Sequence, residues 1–133
     1  MITRIEIDGF KTFHNFTMEF TPFTVVAGTN ASGKSNLFDA LKLLSRLAET
    51  DIKTAFNSAN LRGDAIEQFS QHTNGNYAHK MSFAAEMLLD SEITDNWGGT
   101  ATLKYTRLRY EIEIERQRNT KVFDDLLLTK EVL

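Results

Sequence analysis

The chain has 133 residues and no cysteine, so a disulfide framework, a thiol nucleophile and a cysteine-ligated zinc site are all excluded. Hydrophobic residues make up 41% and charged residues 25%, the balance of an ordinary globular chain able to bury a core. With 15 basic and 18 acidic residues the net charge is −3, so any contact with a polyanion must rest on a local patch.

No apolar run reaches the roughly 18 residues of a membrane span and the N-terminus enters a strand pattern at once, so neither a membrane span nor a signal peptide is expected. The cysteine-free composition suits a reducing cytoplasm. From Met1 to Asp8, Ile5 and Ile7 alternate with Arg4, Glu6 and Asp8, which predicts a half-buried strand. Gly9 to Asn15 is a connecting loop. Phe16, Met18 and Phe20 alternate with Thr17, Glu19 and Thr21 to give a second strand, ended by Thr21-Pro22. Two short strands so close in sequence predict an antiparallel pair.

Phe23 to Ala27 is apolar and partly β-branched, as expected of a short buried strand. Gly28-Thr29-Asn30-Ala31-Ser32-Gly33-Lys34-Ser35 then matches G-x-x-x-x-G-K-[ST], the phosphate-binding P-loop, between a predicted strand and a predicted helix. Gly28 and Gly33 allow sharp turns and close approach of the backbone to a phosphate. The N–H groups between them can form an anion-binding nest, reinforced by the positive end of the following helix. Lys34 would reach the β- and γ-phosphates of ATP and the Ser35 hydroxyl would hold Mg²⁺. The helix is predicted from Gly33 to about Glu49, with Leu37, Leu41, Leu44 and Ala48 on one face.

Thr50 to Asn60 is mixed and polar, and Asp64 to Phe69 suits a short helix. Asn74-Gly75-Asn76 signals a turn within the polar stretch from Ser70 to Lys80. Met81 to Leu89 alternates as a strand. Ser91 to Thr100 reads as a loop broken by Gly98-Gly99. A long strand region is predicted from Ala101 to about Arg116, whose apolar phase slips between Tyr105 and Leu108, as a bulge or short break would cause. Arg118-Asn119-Thr120 is a predicted turn, and Val122 to Leu133 is a further strand or the start of a helix. The chain divides into a strand-strand-P-loop-helix core at 1–50 and mainly antiparallel strands and loops at 51–133.

The opening fifty residues carry more than the P-loop. Ile5-Glu6-Ile7-Asp8-Gly9-Phe10-Lys11-Thr12-Phe13, then Phe16 to Phe20, then Phe23 to Asn36 follow one another in an order that resembles the N-terminal lobe of ABC-type AAA ATPases of the SMC, RecF and OLD kind. Asn30 and Asn36 match both asparagines of that pattern, and Ala31 departs from the glycine or asparagine common there. The resemblance implies an α/β P-loop NTPase lobe with an antiparallel side sheet. It implies that Gly28 to Ser35 hold the phosphates of ATP and that Ser35 holds magnesium. It also implies that Lys11, Thr12 and Phe13 lie in a loop beside the base and ribose.

An ATPase of this class further needs a carboxylate pair at the end of a buried strand and a serine-glycine signature for its partner's site. The nearest acidic run, Glu86 to Glu92, has a half-exposed alternation with Ser91 interrupting it, and Trp97-Gly98-Gly99 reads as a turn. In the resembled families both motifs lie far downstream. The expectation is therefore an incomplete domain, the N-terminal piece of a longer protein that pairs with its own C-terminal lobe and with a second ATPase protomer, and whose work involves DNA or an effector nuclease.

The three histidines lack zinc-ligand spacing and are expected at the surface. Gln68 and Gln71 are minor candidates for a γ-phosphate-sensing glutamine. Between Lys104 and Lys121 six basic residues face Glu111, Glu113 and Glu115, which predicts a salt-bridged outer face, with a DNA backbone contact as the alternative. Two readings compete with the ATPase lobe. A P-loop kinase or GTPase would need base-specific residues such as N-K-x-D, which do not occur. A non-hydrolysing interaction module would need only a scaffolding P-loop.

Overall fold

The computed structural model describes residues 1–24, 33–118 and 124–133. Its main element is a five-stranded sheet in the order β2-β1-β3-β6-β7, with every neighbouring pair antiparallel. The strands are β1 (Ile2–Asp8), β2 (Phe16–Glu19), β3 (Lys80–Leu88), β6 (Arg107–Arg118) and β7 (Asp124–Val132). The expected β1–β2 pair is present, with Ile5 opposite Met18 and Ile7 opposite Phe16.

Register decides which face is the core. Ile7 stands opposite Phe83, and Phe83 in turn opposite Ile112, while Met81 stands opposite Ile114. With a side-chain period of two, these residues share a face with Ile5 and Ala85, and all of them are buried. Phe10 and Phe69, from the loops, complete this layer; Phe10 meets the Phe83 ring edge-on at 5.4 Å between centroids. Each fully buried phenylalanine or isoleucine contributes about 1.5–3 kcal/mol relative to exposure.

Two helices cover that face. In α1 (Lys34–Glu49) the buried apolar residues are Leu37, Ala40, Leu43, Leu44 and Leu47. The stripe is rotated from the one expected: Leu41 is half-buried and Ala48 is exposed. The leucines carry far more apolar area than Ala48, so they set which side of the helix turns inward. The short α2 (Ile52–Ser58) lies where only a polar connection was expected. Asp51 caps it, accepting from the Thr54 N–H at 3.0 Å and the Thr54 hydroxyl at 2.8 Å, and Ala55 and Phe56 are buried. Seven residues are too few for a helical period to show in sequence, so the cap was the only local signal. The helix expected at Asp64 to Phe69 is a single 3₁₀ turn, Ile66–Gln68.

Three further expectations change. Phe23 is 83% exposed and sits in a turn after Pro22, where the Thr21 N–H donates to the Thr24 hydroxyl at 3.0 Å, so it belongs to no buried strand. The rest of that expected strand, Val25 to Ala27, lies outside the described residues, as do Asn119 and Thr120 of the predicted turn. Ser91 to Thr100 is not a plain loop but holds most of a small hairpin, β4 (Glu92–Thr94) against β5 (Thr100–Thr102). Asp95 closes its turn by accepting from the N–H groups of Trp97 at 2.9 Å and Gly99 at 2.7 Å. Both hairpin faces are exposed, so there was no inside–outside alternation to read. The phase slip between Tyr105 and Leu108 is a break, because β5 ends at Thr102 and β6 starts at Arg107. Val122 to Leu133 resolves as strand over β7, and the Asn74-Gly75-Asn76 turn forms with Gly75 at φ +86°.

The sheet's other face is the salt-bridged surface expected from the charge pattern. Arg109 reaches Glu6 at 2.7 Å, Glu111 at 2.6 Å and Glu86 at 3.2 Å, and Lys130 pairs with Glu111 as well. Hydrogen bonds from Lys130 and Arg109 hold the Glu111 carboxyl down to about 2. Arg109 is thus committed to carboxylates of its own sheet.

Candidate functional site

The site is built where α1 begins. Gly33 is its N-cap at φ +82°, in the left-handed region that glycine adopts at little cost. Among the described residues, a Cβ there would meet the Thr12 hydroxyl, 3.8 Å away. Glycine has no side chain to occupy the first free N–H groups of the helix, and no Asp or Glu stands in the first turn. The positive end of the helix therefore goes unneutralised by its own residues. Lys34 and Ser35 sit half-buried in that turn, and among the described residues no carboxylate lies within ion-pair range of Lys34. An ammonium and N–H groups without a partner among the described residues, together with a hydroxyl, fit a polyphosphate with its magnesium. Gly28, Thr29, Asn30, Ala31 and Ser32, the remainder of the motif, lie outside the described residues.

The loop from Gly9 to Phe13 packs beside this helix start. It is a tight turn: Gly9 N–H donates to the Phe13 carbonyl at 3.0 Å and Phe13 N–H to the Phe10 carbonyl at 2.8 Å. Lys11 takes a positive φ of 47° at its centre. Three predicted residues point three different ways. Phe13 is buried in the core beside Phe16, with 4.6 Å between ring centroids. Thr12 accepts a hydrogen bond from the Asn36 side-chain amide at 3.0 Å. Lys11 forms an ion pair with Asp39 at 2.7 Å, with only 10% of its side chain exposed.

Asp39 and Arg62 escaped the sequence reading. Asp39 is a buried carboxylate on α1, and its Oδ2 also accepts from Arg62 at 3.1 Å. The same Arg62 nitrogen donates to the Asn36 side-chain oxygen at 3.2 Å. Burial pushes the Asp39 carboxyl up, but the hydrogen bonds and charges of Lys11 and Arg62 outweigh it and hold it below the ordinary value. A charged residue between Leu37 and Ala40 was a usable signal, since Asp is almost never buried without a partner. Arg62 follows no pattern that could have singled it out.

Gln68 is fully buried, and its amide donates to the carbonyls of Arg62 at 2.7 Å, Asp64 at 3.1 Å and Gly63 at 3.2 Å. It organises the loop that carries Arg62, while Gln71 is exposed and donates to the Gly75 carbonyl. The three histidines are exposed as expected. Asp90 and Glu92 are exposed too, and among the described residues no three His, Asp or Glu side chains gather as metal ligands. No helix of the described residues is long and apolar enough to cross a membrane.

Comparison with known proteins bears on the family and the fold. The AAA ATPase domain family matches residues 1–131. The chain is 26% identical over 127 residues to the Structural maintenance of chromosomes protein 1 of Schizosaccharomyces pombe, covering 90% of this chain and 8% of that protein. It is 51% identical over 49 residues to the Chromosome partition protein Smc of Synechocystis, covering 35% of this chain and 4% of that protein. A solved structure from work on ATP-driven dimerization and DNA-stimulated activation of SMC ATPases superposes with a TM-score of 0.58 at 18% identity. That match covers 99% of this chain and 72% of the other, so the two share an α/β fold with an antiparallel sheet.

Proposed function

Because this chain belongs to the AAA ATPase domain family, we propose that residues 1–133 form the N-terminal part of one ATPase domain that binds ATP with Mg²⁺ at the start of α1. The observation that carries this reading is the acid-free first turn of α1 behind Gly33, which holds Lys34, without a carboxylate partner among the described residues, and the Ser35 hydroxyl. Backbone N–H groups of Gly28, Thr29, Asn30, Ala31, Ser32 and Gly33 would cradle the phosphates, with Lys34 supplying a positive charge. Ser35 would hold magnesium, which supplies charge neutralisation at the phosphate oxygens. Asn36 supports the Thr12 loop, whose exposed Thr12 would border the nucleoside end, while Lys11 is held by Asp39 and Phe13 is buried in the core.

In the full-length protein this lobe would join a C-terminal lobe and a second protomer, close on ATP between them, and use hydrolysis for work on DNA or through a nuclease effector. The solved SMC ATPase noted above, described as dimerizing with ATP and stimulated by DNA, is the support for that part. The cytoplasm, where cysteine stays reduced, suits such a protein. A carboxylate at a strand end to position the attacking water is missing from the sequence, so the 133-residue chain should bind nucleotide weakly and turn it over poorly.

Titration calorimetry with ATP, with and without Mg²⁺, tests the reading. Binding should strengthen with Mg²⁺ and weaken by at least about tenfold in Lys34→Ala, the loss of about one charge-assisted contact. Unchanged affinity in Lys34→Ala would remove the phosphate site. Brisk ATP hydrolysis by the chain alone would overturn its incompleteness.

A further inference from the structure

The β4–β5 hairpin carries its residues into solvent. Every residue of both strands is exposed, and each strand has the other as its main neighbour. A lone two-stranded hairpin is marginal in water, and this one is held at its turn. Besides the two bonds that Asp95 accepts at its side chain, its N–H donates to the Gly99 carbonyl at 2.8 Å and its carbonyl accepts from Gly98 N–H at 3.2 Å. A Cβ on Gly99 would stand 2.7 Å from the Asp95 carboxylate, so the turn closes tightly. At its crest Trp97, the only tryptophan of the chain, is 91% exposed, and Ile93 is exposed on the arm below. An indole left in water forgoes the apolar burial that the fold takes from its other large side chains.

Charge says what kind of partner suits this tip. From Leu89 to Leu103 the chain holds Asp90, Glu92 and Asp95 and no lysine or arginine, and all three carboxylates are exposed. Among the described residues none of the three has an ion-pair partner. The nearest cations in sequence, Lys104 and Arg107, follow at the foot of the hairpin, where Lys104 lies over the Tyr105 ring at 5.4 Å from its centroid. We propose that the hairpin tip is a docking surface for a basic, arginine- or lysine-rich segment of a partner protein. Cations of that segment pack on the Trp97 indole, the strongest ring for such a contact, while Asp90, Glu92 and Asp95 draw the segment in and orient it. A pre-formed turn loses little freedom on binding. Nucleic acid suits the tip poorly, because its phosphates would meet three carboxylates. A second copy of this chain, with a net charge of −3, lacks the required excess of cations. No residue of the tip belongs to the α1 site, so the proposal stands apart from the nucleotide reading.

The experiment follows binding of fluorescein-labelled octa-arginine to the 133-residue chain by anisotropy at low salt, for wild type, Trp97→Ala and the double variant Asp90→Asn/Glu92→Gln. Emission of Trp97 is recorded with unlabelled peptide, and as the only indole it reports on the tip alone. The expected results are a shifted Trp97 emission on binding, and an affinity about fivefold lower both in Trp97→Ala and in the double variant. Thermal unfolding of the variants should match wild type, since these side chains are exposed. The proposal is overturned if the peptide does not bind, or if it binds without moving Trp97 emission. It is also overturned if Trp97→Ala binds as tightly as wild type, the mark of general attraction to an acidic chain. Duplex DNA binding, or self-association of the wild type, that is lost in Trp97→Ala would assign the tip to that partner instead and overturn the proposal as well.

Discussion

Replacing Gly9 with alanine should damage this protein far more than the same change at Gly75, although both residues have a positive φ. Gly9 stands at φ +72° and Gly75 at +86°, so each pays the left-handed penalty of roughly 1–2 kcal/mol for an L side chain. They differ in what the new methyl meets. At Gly9 a Cβ would lie 2.1 Å from the Lys80 carbonyl oxygen and 3.2 Å from the Met81 Cα, both backbone atoms of β3. At Gly75 nothing lies within 4 Å. Gly9 cannot step aside, because its N–H is bonded to the Phe13 carbonyl at 3.0 Å and its carbonyl to the Ser70 N–H at 2.8 Å. Forcing the loop off β3 adds about 1–3 kcal/mol of overpacking, for a total of roughly 2–5 kcal/mol. Urea denaturation followed by circular dichroism reads this directly. With m at about 2 kcal/mol/M, the Gly9→Ala midpoint should fall by about 1–2.5 M and the Gly75→Ala midpoint by about 0.5–1 M. Equal shifts in the two variants, or a Gly9→Ala variant within about 0.5 kcal/mol of wild type, would refute the close packing of this loop on the sheet.

Two other expectations concern charge. Arg109→Met removes the hub between Glu6, Glu86 and Glu111, leaving Glu86 without its cation while Arg4 and Lys130 still pair with Glu6 and Glu111, so stability should drop by about 1 kcal/mol at low salt. Because the face is partly solvated, that loss should shrink in about 1 M NaCl, and a salt-independent loss would contradict it. Acid should destabilise the fold in a defined window. A hydrogen bond from Arg109 holds Glu6 below its ordinary value, and Asp39 and Glu111 are lowered as well. Between the ordinary and the lowered values the unfolded chain binds more protons, so these groups contribute fully above the ordinary carboxylate range and lose their contribution as pH falls through the lowered values. Unfolding free energies measured from pH 7 downward should show that decline, with a shallower slope in Asp39→Asn; identical slopes would mean Asp39 titrates normally.

Much of the site could be read from the chain. The G-x-x-x-x-G-K-S spacing, the alternation of Ile5 and Ile7, and the leucines of α1 are local patterns, and local patterns survive in a one-dimensional record. The helix start at Gly33 followed from them, whereas a place for the Thr12 loop beside the site was expected only from the resemblance to SMC-like ATPases. What was misread had no periodic signature. Phe23 is apolar yet exposed, α2 is too short for a period, and the β4–β5 hairpin has two wet faces.

Sequence alone therefore determined the elements whose chemistry lies within a dozen neighbouring residues: the motif, its helix and the alternating strands. The tertiary structure alone decided that Lys11, Asp39 and Arg62, separated by 28 and 23 positions, meet at one oxygen. Which charges pair across such distances depends on sheet register and on the rotation of α1, and those are set by how apolar faces of many segments pack at once.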